Sequence, residues 1–352
     1  MKQLICNWYY PEDKKLNNYD RDCFLDNLKF LLMILVVVGH FGLKLSYIPY
    51  IRYLTYYIYI FHMPCFIFTS GFLAKKMNLA GKLRVDKIMN IMVMYLLFKT
   101  GNVLLGYAFH ENISFSLFRD TSAPWYLIAL CIWYLLVPLI ERIKPCYLII
   151  GSFLIGLVLG YIGSIKDIFS LSRVFVYFPF FIIGFYLPVD KLREFLNRRL
   201  RLFAITMMIV TLILVLVYGE DLKPVAKVIY AALPYASYLE DMAPYGFIIR
   251  AIWYLLAIIL SVSFLLLVPR CQLLFSKYGS RTMQIYMTHI WFRNALVYGG
   301  FFSTLKKEPD YISYLVFFSS IILTLLLANK YFEKLYNFIS GHTLKLIQKA
   351  TK

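Results

Sequence analysis

Long apolar stretches separated by short basic or polar segments dominate the chain. Leu202–Tyr218, Ile252–Val268 and Tyr311–Ala328 are the clearest, each approaching the roughly 20 apolar residues a helix needs to cross a bilayer. Followed along the whole chain, the pattern predicts about ten spanning helices, at residues 24–47, 53–74, 87–108, 124–140, 146–164, 172–189, 201–218, 246–268, 281–302 and 311–332. Every second connecting segment is basic: one holds Lys75, Lys76, Lys82, Arg84 and Lys87, another Lys191, Arg193, Arg198, Arg199 and Arg201, and with their counterparts they take most of the 37 basic residues. A bias of this kind marks the cytoplasmic side of a membrane protein and places both termini there. The expected architecture is an all-α integral membrane protein. A cytoplasmic segment (1–23) precedes a transmembrane bundle (24–335), and a basic cytoplasmic tail (336–352) follows it. The longest outer loop, Gly219–Tyr245, contains the apolar run Val225–Leu233 and is expected to lie on the membrane or dip into it.

Composition agrees with that pattern. Of 352 residues, 61% are hydrophobic and 16% charged, where a soluble domain needs about a quarter charged. Met1–Asp22 is polar and mixed in charge, so the first span is expected to do the targeting. The net charge of +18 follows the alternation of the loops. It reads as topology plus attraction to anionic lipid and anionic cytosolic ligands, not as nucleic-acid binding. Six cysteines share no CxxC spacing, and neither a disulfide nor a metal site is expected. There is no internal repeat.

Ionisable groups inside spans are expensive to bury and so mark candidate sites. The first span carries Asp26, Lys29 and His40. Lys29 and His40 are eleven residues apart, about three turns, which puts them on one face roughly 16 Å apart. Asp26 lies one turn below Lys29. Lys29 also suits simple snorkelling to the helix end. The second span contributes His62, then Pro64 and Ser70; a proline there is expected to open the helix and free a carbonyl for binding. The ninth adds Tyr286 and His289. A neutral histidine is a natural general base near pH 7, although a lone membrane histidine more often bonds one helix to another. Lys76, Lys82, Arg84 and Lys87 form a basic rim at the start of the third span, serving either topology or phosphate binding. Arg173 opens the sixth span ahead of an aromatic run, and Trp125 opens the fourth, where it suits a sugar ring or a membrane-interface belt.

Read in order, these segments resemble acyltransferase family 3, the integral-membrane O-acyltransferases, and within it the fucose 4-O-acetylase-like, capsular polysaccharide branch. Lys29 and His40 match a basic-x10-His signature; Phe61-His62-Met63-Pro64 with Ser70-Gly71 matches a second segment. Arg84-x-x-Lys87 is similar to an RxxR element with Lys in the last place. Ser172-Arg173 with Pro179-Phe180-Phe181 and Gly184, Pro124-Trp125-Tyr126-Leu127, and Ile285-Tyr286-Met287-Thr288-His289 complete the series, which runs from Arg21 to about residue 335. The resemblance implies a multi-pass enzyme of the bacterial plasma membrane. It would move an acetyl group from cytosolic acetyl-coenzyme A to a hydroxyl of a capsule, exopolysaccharide or lipid-linked glycan, with no permanently bound cofactor. His40 would act as general base or transient acyl carrier, aided by Lys29 and Asp26. Arg84, Lys87, Lys76 and Lys82 would hold the donor, and His62, Ser70, Trp125, Arg173, Tyr286 and His289 would support the acceptor or an oxyanion. Some members carry an additional soluble esterase-like domain; here transfer is expected within the bundle. A secondary transporter of a saccharide or small solute uses similar intramembrane groups, although no matching halves are visible.

Overall fold

The computed structural model describes residues 23–350, apart from 80, 112, 114, 117–122, 164–169 and 197. The expected cytoplasmic segment 1–23 therefore lies outside the described residues except for Cys23, as do the last two positions of the expected tail. In chain order the helices are α1 (Cys23–Lys44), α2 (Pro49–Ala74), α3 (Val85–Ala108), α4 (Trp125–Ile140), α5 (Pro145–Val158), α6 (Leu171–Tyr186), short α7 (Val189–Phe195), α8 (Arg201–Val217), α9 (Gly246–Leu267), α10 (Thr282–Tyr298), short α11 (Phe301–Leu305), α12 (Asp310–Leu327) and α13 (Lys330–Ala350). Two-residue strands β1 (Asn78–Leu79) and β2 (Lys82–Leu83) pair antiparallel between α2 and α3. Gly81, at φ +77°, supplies the turn that joins them.

Each of the ten predicted segments contains a helix, although 281–302 is interrupted at Gly299–Gly300 and 311–332 at Ala328–Asn329. Five helical stretches are long and apolar enough to cross a membrane: α1, α2, α3, α9 with its preceding turn, and α12. Four more, α4, α5 with its extension, α6 and α8, are apolar but shorter. α10 belongs to neither group, because Gln284, His289, Arg293 and Asn294 interrupt its apolar sequence. The long helices run back and forth and give the bundle two ends. The α1–α2 connection lies at one, called here the turn end; the β hairpin and the start of α3 lie at the far end.

α2 sits at the centre, packed on α1, α4, α6, α8 and α9. Two glycines set its approach to α6. A Cβ on Gly71 would stand 2.0 Å from the Phe181 carbonyl oxygen, and one on Gly184 2.0 Å from the Phe68 carbonyl oxygen. The two backbones thus meet where only hydrogen fits, the usual way helices associate without a hydrophobic drive. Gly279 performs the same service beside α1, where a Cβ would lie 2.4 Å from the Asp26 carbonyl oxygen.

Pro64 does not open α2, contrary to the expectation from sequence. The helix runs unbroken from Pro49 to Ala74. The carbonyl that the missing amide would leave bare, Ile60 O, accepts from Trp253 Nε1 at 3.2 Å, and Ser261 Oγ donates to Phe61 O at 3.3 Å. α9 therefore supplies the donor that the proline removes and adds a second bond beside it.

The 219–245 segment folds as 3-10 turns (Ala226–Tyr230, Tyr235–Ser237, Glu240–Tyr245) against the turn end, burying Val228, Ile229 and Tyr235. Side chains of α6 hold it in place. Ser172 Oγ donates to Ala231 O, Tyr177 OH to Ile229 O, both at 2.8 Å, and Arg173 Nε to Tyr230 O at 3.2 Å. At the opposite end α13 continues as one helix through the expected boundary at 335/336. It packs on α3, where Ser340 Oγ donates to Asn90 Oδ1 at 3.1 Å.

Candidate active site

Positions 59, 62, 63, 66, 69, 70 and 73 recur at three- and four-residue spacing and so share one face of α2. Three cavities open in succession along that face. The first, about 360 Å³ near the turn end, is lined by Tyr59, His62 and Met63 together with His40, Lys44, Trp125, Arg173, Tyr177, Tyr230 and Arg293. The second, about 130 Å³, is lined by Phe66, Thr69, Ser70 and Leu73 with Lys29, Tyr126, Tyr134 and Tyr286. The third, about 460 Å³ at the far end, is lined by Leu73, Lys76 and Met77 with Arg84, Asp86, Lys87, Asn90 and Tyr134. Leu73 and Tyr134 belong to both the second and the third. Tyr59 to Leu73 is fourteen residues, about 21 Å of helix.

His40 stands in the first cavity, four residues before the end of α1. Arg293 Nη1 lies 3.3 Å from His40 Nδ1. A guanidinium only donates, so Nδ1 is the accepting nitrogen and a neutral His40 carries its proton on Nε2. The other two histidines are fixed the opposite way round. His62 Nδ1 donates to Ile58 O and His289 Nδ1 to Ile285 O, each at 2.8 Å. Both present Nε2 as an acceptor. His289 Nε2 is buried and has no hydrogen-bond partner among the described residues, and its ring lies 5.3 Å from that of His40. The Tyr59 ring lies 4.6 Å from that of His62 on the same helix and 6.5 Å from that of His40.

The other expected site residues separate into two groups. Trp125 is buried, stacked on Tyr177 at 5.4 Å and 23°, with the Arg173 guanidinium 5.3 Å from its ring. It thus belongs to the His40 cavity and not to an interface belt. Ser70 Oγ and Tyr126 OH are 2.7 Å apart, and Tyr286 OH donates to Ala123 O. These groups stand between the first cavity and the second. Lys29 lines the second cavity and pairs with Asp26 at 2.9 Å. Neither Lys29 nor Asp26 is brought to His40; the shared helical face leads to two different chambers. Arg84, Lys87 and Lys76 surround the third cavity, with one edge of the Arg84 guanidinium on Asp86 at 2.8 Å. Lys82, on β2, stands outside that lining.

Lys44 and Arg293 are site residues that the sequence reading passed over. Arg293 follows His289 by four residues, one turn, inside an expected span, so the rule that flagged His289 applies to it equally. Its Nε and Nη2 both reach Asn294 Oδ1, at 3.2 and 2.7 Å. Lys44, Arg173 and Arg293 give the first cavity three cations, and no described Asp or Glu lines it. The arrangement can accept a proton at an imidazole lone pair, stabilise a developing oxyanion and exclude bulk water. Beyond the tyrosines that line the second cavity, the series ends in a cationic mouth at the far end.

No curated protein and no solved structure matches this chain. A family model described as an acyltransferase domain matches residues 23–329, a stretch that takes in all three cavities and every residue lining them. The molecule is therefore an all-α membrane acyltransferase, and the chain belongs to acyltransferase family 3.

Proposed function

We propose that the protein is an O-acetyltransferase of the bacterial plasma membrane that moves an acetyl group from cytosolic acetyl-coenzyme A to a hydroxyl of a cell-surface glycan, within the fucose 4-O-acetylase-like branch. The single observation carrying this reading is the line of three cavities along α2, from a cationic mouth to His40. In this reading the far end is cytosolic, consistent with the basic residues gathered there, and about ten helices span the bilayer. Lys76, Arg84 and Lys87 bind the donor's phosphates. The pantetheine arm, of comparable length to the cavity series, passes Lys29 and the Ser70–Tyr126–Tyr286 partition. The thioester then lies beside His40. Trp125 and its neighbouring tyrosines receive the glycan from the turn end.

The acceptor oxygen attacks the thioester carbonyl while His40 takes its proton. The C–S bond breaks, and the departing thiolate recovers that proton from the imidazolium, leaving an acetyl ester and coenzyme A. Arg293 is placed to bind the oxyanion formed between these events. Since Arg293 occupies the His40 Nδ1 lone pair at rest, the acceptor hydroxyl must displace it there, which frees the guanidinium for the oxyanion. A transient acetyl-His40 needs the same lone pair.

Membranes containing the wild type, supplied with isotopically labelled acetyl-coenzyme A, should label a saccharide fraction, and His40→Ala should abolish labelling. Coenzyme A should still raise the thermal stability of the mutant, because ligand that binds only folded protein stabilises it. Undiminished labelling in His40→Ala would remove His40 from the chemistry. No labelling and no stabilisation by coenzyme A would leave a saccharide transporter as the better description.

A further inference from the structure

We infer that α13 lies along the membrane surface and binds the headgroups of anionic phospholipids. Its placement follows from the helices it meets. α12 is long and apolar enough to cross a bilayer, and only Ala328 and Asn329 separate its end from the start of α13. α13 therefore begins where a spanning helix leaves the membrane. Arg281, just before α10, holds that point: Nη1 donates to Ala328 O at 2.8 Å and Nη2 pairs with Glu333 at 2.6 Å. Ten residues beyond Lys330, about 15 Å along the helix, Ser340 Oγ donates to Asn90 Oδ1. Asn90 is the sixth residue of α3, only about 8 Å from the far-end start of that helix. α13 thus stays near the level of the far end and crosses it, neither projecting away nor running up the bundle.

Three faces run along the first half of the helix. Tyr336 and Ile339 are half-buried and pack on the core, beside the Ser340 bond to α3. Lys330, Lys334 and Asn337 are exposed on a second line, with the i, i+4, i+7 spacing of one helical face. Tyr331, Leu335 and Phe338 follow the same spacing one residue later, at 67, 57 and 72% exposure. An outward stripe of this kind is a liability in water. It is the inserting face of a helix that lies in a bilayer interface. The adjoining lysines then reach the headgroup layer on their long stems. Glu333 is the only acidic residue of α13, and it is paired with Arg281, so no carboxylate of α13 is left to neutralise those lysines. An anionic leaflet matches both lines, acyl chains for one and headgroup charge for the other; a zwitterionic leaflet matches only the first. Asn90 also lines the third cavity, so this lipid contact adjoins the cationic mouth.

The test uses the full chain in nanodiscs, one copy to a disc, and reads hydrogen–deuterium exchange of the α13 backbone amides. Exchange should be about tenfold or more slower in discs of phosphatidylcholine with phosphatidylglycerol than in pure phosphatidylcholine. Added salt should narrow that difference, and the amides of α9 and α12 should exchange alike in both discs. Lys330→Gln combined with Lys334→Gln should remove most of the difference without speeding exchange in pure phosphatidylcholine. Leu335→Ser combined with Phe338→Ser should speed exchange by about tenfold or more in both discs. Equal exchange of wild-type α13 in the two lipids, or a lipid difference that survives the lysine substitutions, overturns the inference. So does exchange untouched by the Leu335 and Phe338 substitutions. Protection that appears only with two copies to a disc assigns the stripe to an interface between copies and overturns it as well.

Discussion

At the scale of single residues, three buried basic side chains of the spans do different work. Arg250 is fully buried, donates Nη1 to Gly156 O at 2.8 Å and lies 4.4 Å over the Tyr235 ring, tying α9 to α5. Lys99 donates to Tyr95 OH at 3.0 Å on its own helix. Arg293 instead faces a cavity and touches His40. Arg293→Ala should lower the transfer rate by about 100- to 1000-fold, the usual consequence of losing an oxyanion donor, with little change in the acetyl-coenzyme A concentration that half-saturates. Arg293→Lys should recover only part of the rate, because a point charge replaces a planar fork. Initial rates over a range of donor concentrations check both; an active Arg293→Ala enzyme would confine Arg293 to acceptor binding or packing. The three residues also show what sequence can reveal. Each stands out equally as an ionisable group in an apolar run, and only the packing separates the one that lines the candidate site from one that ties two helices and one held by a tyrosine of its own helix.

At the scale of elements, the crossing of α2 and α6 and the repaired proline in α2 hold the cavity-lining face straight. Gly184→Ala places a methyl group against the Phe68 carbonyl and should destabilise by about 1–3 kcal/mol or more, seen as a lower thermal midpoint in detergent. Trp253→Phe keeps most of the apolar bulk but leaves Ile60 O without its donor. It should cost about 1–3 kcal/mol, and a midpoint unchanged by that substitution would mean that another group satisfies the carbonyl. The positions of the helices were legible in the chain because apolar runs of spanning length are long and bounded by basic loops. The effect of Pro64 was not, because its remedy lies 189 residues further on in α9. Ser70-Gly71 and Gly184 likewise mark the family in sequence, yet only the crossing shows that the glycines serve contact between backbones. The stripe from Lys29 to His40 was read correctly as one helical face, whereas its division between two chambers depends on Tyr126 and Tyr286, which come from other helices.

At the scale of the whole molecule, His40 and the cations proposed to bind the donor stand at opposite ends of the α2 face. Arg84→Ala combined with Lys87→Ala should therefore raise KM for acetyl-coenzyme A by about tenfold or more while leaving kcat nearly unchanged, the mark of binding lost equally from ground and transition states. His40→Ala should do the reverse, and a double substitution that lowered kcat instead would place the far-end cations nearer the reaction than the cavities suggest. The cavity series has a further consequence for the order of events. With the donor admitted at one end and the acceptor at the other, neither substrate stands in the other's way out, and either product can depart first. Coenzyme A should then inhibit competitively against acetyl-coenzyme A but only non-competitively against the glycan, and no fixed sequence of binding should emerge from initial-rate patterns. The two ends would behave as independent ports on a single reaction, meeting beside His40 where the acyl group changes hands.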